Sequence, residues 1–184
     1  MKLYIKYMVS MRCTSIAKKA LADLGYPNAV SGKGQIQLAK DLKAADRKTL
    51  TSLLKKSGMV LLDKEKSQLF EAIDLTLDEL LHKTVAPSPD IIPQLIEKQV
   101  NESYQKLTHL IAEVKGISMD HYVLISRIEV VKEKLIYEDL NLSALAVKLG
   151  FKNRSTLAYQ FKKVTGLSPT FYKVLRKKRF KEAI

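Results

Sequence analysis

A single cysteine, Cys13, rules out a disulfide within the chain and suits a reducing cytosol. No apolar run approaches the roughly 18 residues that a membrane span needs, so an integral membrane protein is not expected. The first ten residues, MKLYIKYMVS, lack the apolar core and cleavage site of a secretory signal. Neither a glycine-rich phosphate loop nor a serine or cysteine triad signature occurs. The three histidines, His82, His109 and His121, are isolated from one another, so no histidine pair on a helix face holds a metal. A cytoplasmic chain that is not an enzyme is the expectation. Acidic residues are the last shortage: 19 Asp and Glu stand against 32 Lys and Arg, a net charge of +13 over 184 residues.

The distribution of that charge matters more than its size. Residues 141–184 carry 11 Lys and Arg against one acidic residue, Glu182, whereas residues 91–117 balance Lys98, Lys106 and Lys115 with Glu97, Glu102 and Glu113. The positive field therefore belongs to the C-terminal quarter and its tail, Lys173-Val174-Leu175-Arg176-Lys177-Lys178-Arg179. Nucleic-acid phosphates are the natural partner of such a field, with affinity falling steeply as salt rises. An anionic membrane is the rival, but the tail has no strongly apolar opposite face.

Asn141 to Gly166, NLSALAVKLGFKNRSTLAYQFKKVTG, reads as two short helices around a tight turn. Asn141 is a good N-cap. Leu142, Leu145, Ala146 and Leu149 make one apolar stripe, and Gly150 ends the helix because glycine enters the left-handed region at little cost. Leu157, Phe161 and Val164 make a second stripe. Between these anchors lie Arg154, Ser155, Thr156, Tyr159, Gln160 and Lys163, polar and not needed for a core. A major-groove reading helix has this division: apolar on one side, hydrogen-bonding groups on the other.

A shift of 50 residues aligns this segment with an upstream copy. Leu95, Leu107, Val114, Gly116 and Ser118 match Leu145, Leu157, Val164, Gly166 and Ser168, and Ile92, Ile111 and Ile117 keep the bulk of Leu142, Phe161 and Leu167. The matches fall at buried-face and turn positions, as a duplicated helix pair requires. Between the copies, Ser118 to Tyr137 reads as one capped helix with Tyr122, Ile125, Ile128, Val131 and Leu135 on one face. About twenty residues make a rod of about 30 Å, close to the roughly 34 Å of one turn of B-DNA.

With KLGFKNRSTLAYQFKKVTGLSPTFY at 148–172 and the weaker EVKGISMDHYVLISRIEVVKEKL at 113–135, residues from about 90 to 181 resemble the AraC/XylS-type DNA-binding domain. The resemblance implies an all-α domain of two helix-turn-helix units joined by a long helix. It also implies a transcription regulator, commonly an activator, with double-stranded promoter DNA and RNA polymerase as partners. Carried over by motif position, Arg154, Ser155, Thr156 and Tyr159 address bases, and Lys152, Asn153, Gln160 and Lys163 address phosphates. The first unit uses Ser103, Tyr104, Gln105, Thr108 and His109. Its turn, Gln99-Val100-Asn101-Glu102, departs from the pattern by lacking a glycine–aromatic pair.

In the N-terminal part, Lys2 to Met8 alternates Leu3, Ile5 and Tyr7 against Lys2, Tyr4 and Lys6, which predicts a strand with one buried face. A loop follows at Val9 to Cys13, then a helix capped by Thr14 or Ser15 and running to Leu24. Asn28–Ser31 and Gln35–Ala39 read as a hairpin around Gly32-Lys33-Gly34. Asp46 caps a helix to Ser57, and Met59–Leu62 is a wholly apolar strand. The order strand, helix, strand, strand, helix, strand predicts an α+β, ferredoxin-like βαββαβ domain over residues 1–63. With its cysteine before the first helix, that order is similar to the heavy-metal-associated domain of copper chaperones and pumps. The resemblance implies a soft-metal loop of two cysteines. Here Ser10 stands at the first position, leaving Cys13 with the Met11 thioether as a weak Cu(I) site, or Cys13 to pair across a dimer.

Residues 64–90 comprise an amphipathic helix from Lys64 to Lys83, with Leu69, Ile73, Leu77, Leu80 and Leu81 in a stripe, and the linker Val85-Ala86-Pro87-Ser88-Pro89. The boundary is placed there, ahead of the DNA-binding domain at 91–184. A homodimer is expected through the N-terminal domain or through helix 64–83. Two functions remain open: a sequence-specific regulator reading two successive major grooves, and a copper-binding or copper-sensing protein whose N-terminal domain is the working part.

Overall fold

The computed structural model describes residues 1–8, 10–32, 35–138 and 140–182, with side chains through Arg176. The chain forms two compact units: Met1–Glu71 with His109–Gly116, and Ala72–Thr108 with the residues from Ile117 onward.

In the first unit, β1 (Lys2–Lys6), β2 (Val30–Gly32), β3 (Gln35–Gln37) and β4 (Val60–Leu61) form one sheet in the order β2-β3-β1-β4. All neighbours are antiparallel; Leu3 lies opposite Ile36, and Ile5 opposite Leu61. Helices α1 (Met11–Asp23) and α2 (Ala44–Lys56) follow β1 and β3. Ala17, Leu21, Leu50 and Leu54 from the helices join Leu3, Ile5, Ile36 and Leu61 in one core.

Several expectations need correction here. β1 is buried on both faces: Tyr4, expected outward, is fully buried with its ring 4.8 Å from Phe70. Tyr7, expected inward, is 60% exposed and takes a positive φ of 63° that ends the strand. The N-cap of α1 is Ser10, whose hydroxyl accepts the Cys13 N–H at 3.3 Å, so the helix begins three residues before Thr14. Asp46 does not cap α2; Lys43 holds that position, and the Asp46 carboxylate accepts the Tyr26 hydroxyl at 3.0 Å. Strand β4 is shorter than the expected Met59–Leu62, and its Val60 is exposed. Of the hairpin turn, Lys33 and Gly34 lie outside the described residues.

Helix α3 (Lys64–Leu81) contributes to both units. Of its expected stripe, Ile73, Leu77, Leu80 and Leu81 are buried and Leu69 is half-buried; Phe70 is buried as well. The proline-containing stretch 85–89 is bound into the second unit: the Ala86 N–H donates to the Lys148 carbonyl at 2.8 Å, and the Pro87 carbonyl accepts from Arg127 at 2.8 Å. The chain passes from one compact unit to the other after Glu71, after Thr108 and after Gly116.

The second unit is helical. A short 3₁₀ turn (Pro89–Ile91) leads into α4 (Ile92–Val100), α5 (Tyr104–Lys115), the long α6 (Met119–Tyr137), α7 (Leu142–Lys148), α8 (Arg154–Thr165) and α9 (Pro169–Glu182). The last half of α5 belongs to the first unit. Helix α6 packs against α4, α8 and α9, and α7 against α8. The 50-residue repeat is present in the backbone: α4 and α7, α5 and α8, and α6 and α9 each begin 50 residues apart. Ser118 and Ser168 cap their helices alike, each accepting an N–H three residues on at 3.2 Å. No described helix is long and apolar enough to cross a membrane.

Candidate nucleic-acid interface

Helix α8 is held at both ends by local chemistry. Asn153 caps it, its Oδ1 accepting the Thr156 N–H at 2.8 Å and the Thr156 hydroxyl at 3.0 Å. Gly166 ends it in the left-handed region at φ 77°. Leu157 and Phe161 are fully buried, and the Phe161 ring meets Tyr172 of α9 edge-on at 5.4 Å. What remains outside is polar: Lys152, Arg154, Ser155 and Lys163 are exposed, and Tyr159 is 66% exposed. Ser155 and Tyr159 sit one turn apart on the outward row, with Arg154 beside them. Thr156, Gln160 and Lys163 occupy a different row, next to the start of α6. Two of the expected contacts therefore already serve the helix: Asn153 as its cap, and Thr156 through its hydroxyl.

The turn before α8 is fastened by a residue that pattern reading did not single out. Arg127 of α6 is 1% exposed; its guanidinium donates to the Gly150 carbonyl at 3.2 Å and the Pro87 carbonyl at 2.8 Å, and lies 5.4 Å from the Phe151 ring centroid. Its Nε has no partner among the described residues. Burial lowers its pKa to about 10, with Asp90 acting in the opposite direction, so the guanidinium stays charged at neutral pH. A buried cation held by two carbonyls ties the α7–α8 turn to the long helix. A signal was present in the sequence: Arg127 and Lys134 lie seven residues apart among the apolar residues of α6, and both are buried. Lys134 reaches Glu138 at 2.6 Å, and Glu138 also takes Lys148 at 3.0 Å, which holds its carboxylate below the usual range.

The upstream copy is built differently. Asn101 takes the left-handed conformation, φ 56° and ψ 44°, where the downstream turn uses Gly150 at φ 65°. Asparagine is one of the few residues that enters this region readily, so the missing glycine does not prevent the turn. Glu97 accepts the Tyr104 N–H at 2.9 Å at the head of α5. Ser103, Tyr104, Gln105 and His109 are exposed, but the Thr108 hydroxyl is buried with no partner among the described residues. The five residues are also divided: Ser103 to Thr108 belong to the second unit and His109 to the first. Where α8 carries Lys163, α5 carries Glu113, which accepts Lys66 at 2.8 Å and Lys6 at 2.9 Å. These hydrogen bonds, Lys66 first and then Lys6, hold the Glu113 carboxyl below its ordinary pKa and raise that of Lys66.

The soft-metal residues of the N-terminal loop fall in the first turn of α1. Met11 is 88% exposed, while Cys13 is partly buried against the core and receives the Ser10 hydroxyl at 3.3 Å on its sulfur. Ser10 thus serves as a helix cap in the place where a second thiolate was sought. Among the described residues no group of three or more His, Cys, Asp or Glu is gathered as a metal site.

Residues 96–178 match a family described as a helix-turn-helix domain. A transcriptional regulator with an AraC-type DNA-binding domain from Chromobacterium violaceum has the same fold in this region: 18% identity, 61% of this chain and 94% of that chain covered, TM-score 0.51. Two further structures are similar at lower scores. The C-terminal domain of AraT, a response regulator from Geobacillus stearothermophilus, has 22% identity, coverage of 58% and 84%, and a TM-score of 0.48. The C-terminal domain of the two-component response regulator yesN from Fusobacterium nucleatum has 21% identity, coverage of 58% and 98%, and a TM-score of 0.49. No curated protein matches the chain. Residues 96–178 are thus similar to a helix-turn-helix domain in sequence and in fold.

Proposed function

We propose that this chain is a sequence-specific, double-stranded-DNA-binding transcription regulator of AraC type, with α8 as its principal reader. The observation that carries the reading is the exposed row Arg154, Ser155 and Tyr159 on a helix whose other side is locked by Leu157 and Phe161. Side chains with no structural duty, on a helix fixed by two caps, have the form that base-edge recognition requires. In this reading Arg154 addresses a guanine edge, and Lys152 and Lys163 the phosphates.

Helix α5 enters the adjacent major groove with its first turns, Ser103 to Gln105. The equal spacing of α5 and α8 in the repeat, and the 19-residue α6 between them, support this; at about 1.5 Å per residue α6 is about 28 Å long. Thr108, with its hydroxyl inside, and Glu113, with its negative charge, make this half the weaker contributor. Residues 1–63 act as a ferredoxin-type βαββαβ module, a reading supported by the strand order β2-β3-β1-β4 and antiparallel neighbours.

Hydroxyl-radical footprinting of genomic fragments selected by the protein tests the assignment. Two protected patches about 10 base pairs apart on one face of the duplex are expected. Uniform, unpatterned protection, or no retained fragments, overturns it.

A further inference from the structure

Beside α8, on the row of Thr156, Gln160 and Lys163, the second unit holds a cleft of about 800 Å³. Its opposite wall is the start of α6 and residues 88–90. Base reading does not require it, because Arg154, Ser155 and Tyr159 stand on other rows of α8. Its volume falls within the roughly 300–1,000 Å³ usual for small-molecule sites. One part of its lining is apolar, from Val123, Leu124 and Phe151, and another is cationic, from Lys152 and Lys163.

Arg127 lines it as well, almost wholly buried and with Nε unpartnered among the described residues. Three cations thus line the cleft with two acids, Asp90 and Asp120, which leaves a single net positive charge with His121 neutral. Asp90 also accepts the Ser88 hydroxyl at 3.3 Å, and Asp120 lies in the first turn of α6, where a carboxylate offsets the positive end of the helix. An excess of one charge over an apolar wall selects a monoanion with an apolar body.

We propose that the cleft binds a small organic monoanion, with its charged head at Lys152 and Lys163 and its apolar body against Val123, Leu124 and Phe151. Bound there, the anion takes the two lysines away from the DNA backbone, so the reading unit itself responds to a ligand. This second consequence rests on the DNA reading proposed above; the binding site does not.

Cyclohexanecarboxylate, acetate and cyclohexanecarboxamide separate the contributions of charge and apolar body. Each is titrated into the full ¹⁵N-labelled chain while amide shifts are followed. The carboxylate with the ring should move amides in 118–127 and 150–163 and bind about tenfold or more tighter than acetate, from burial of the ring. The neutral amide should bind at least about tenfold more weakly than the ring carboxylate. Leu124→Asn should remove the advantage of the ring while leaving acetate unchanged, with an unchanged amide pattern elsewhere showing that the variant is folded. In a parallel anisotropy assay, cyclohexanecarboxylate should raise the apparent Kd for duplex DNA and acetate at equal ionic strength should not. Equal responses to ring carboxylate and acetate, or shifts outside the cleft, overturn the site. If the cleft titrates as expected but no duplex binds, the DNA reading fails and the site stands. If duplex binds and the cleft amides stay still, the site fails and the DNA reading stands.

Discussion

Gly150→Ala is the sharpest structural test of how the reading helix is held. Gly150 has φ 65°, and a Cβ built there would lie 2.7 Å from the Pro87 carbonyl oxygen and 3.0 Å from that of Ala86. Gly166, at φ 77°, has nothing within 4 Å of the same construction. Both substitutions bear the left-handed cost of an L-residue, about 1–2 kcal/mol. At Gly150 the Pro87 carbonyl must also retreat, and that oxygen holds the Arg127 guanidinium at 2.8 Å. Loss of a hydrogen bond to a buried charge adds about 1.5–3 kcal/mol, for a total of roughly 3–5 kcal/mol. Urea unfolding followed by far-ultraviolet circular dichroism, with the two variants side by side, reads the difference. Gly150→Ala should be the more destabilising by about 2–3 kcal/mol. Equal losses in the two variants would refute the role given to the Pro87–Arg127–Gly150 junction.

Other outcomes follow from the same contacts. Lys163→Ala should weaken binding to all duplexes alike and lower the salt slope by about one unit; an unchanged slope removes Lys163 from the backbone contacts. Glu113 has a folded pKa below its ordinary value, so its contribution to stability is complete above about pH 4.5 and is lost as the pH falls through the lowered value. Glu113→Gln should therefore be less stable than the parent near neutrality and flatten the acid side of the stability–pH curve, measured by thermal unfolding. Thr108→Val removes a buried hydroxyl that has no partner among the described residues. It should leave stability unchanged or slightly higher and duplex affinity unaltered; a fall in affinity would show that Thr108 turns outward to touch DNA.

Legibility in the sequence followed how local the controlling interaction was. Asn141 and Ser118 act within a few residues of themselves, and each stands where pattern reading placed it, as a helix cap. The repeat was legible because buried positions and turn glycines tolerate few alternatives, so bulk persisted at Leu107 and Leu157, and at Ile111 and Phe161. Errors arose where distant partners decide. Asp46 is a good cap by type, but the Tyr26 hydroxyl engages it. Tyr4 alternates as a solvent-facing residue should, yet Phe70, 66 positions later, covers it. Thr14 and Ser15 are the expected caps, but Ser10, upstream of both, makes the capping bond. Arg127 escaped notice because a lone arginine between isoleucines looks like a surface residue until the two carbonyls it binds are brought together. The hydrogen bonds of residues 85–89 were illegible for the same reason: they run to Lys148 and Arg127, about 40 to 60 positions away along the chain.

The central claim is that the outward row of α8 reads bases. Arg154→Ala, compared with the parent on a selected site and on random duplex at the same salt, tests it most directly. Affinity for the selected site should fall by about 1–3 kcal/mol and discrimination should relax at one or two base pairs, with little change on random duplex. An equal loss on both duplexes would place Arg154 on the phosphates and contradict the account.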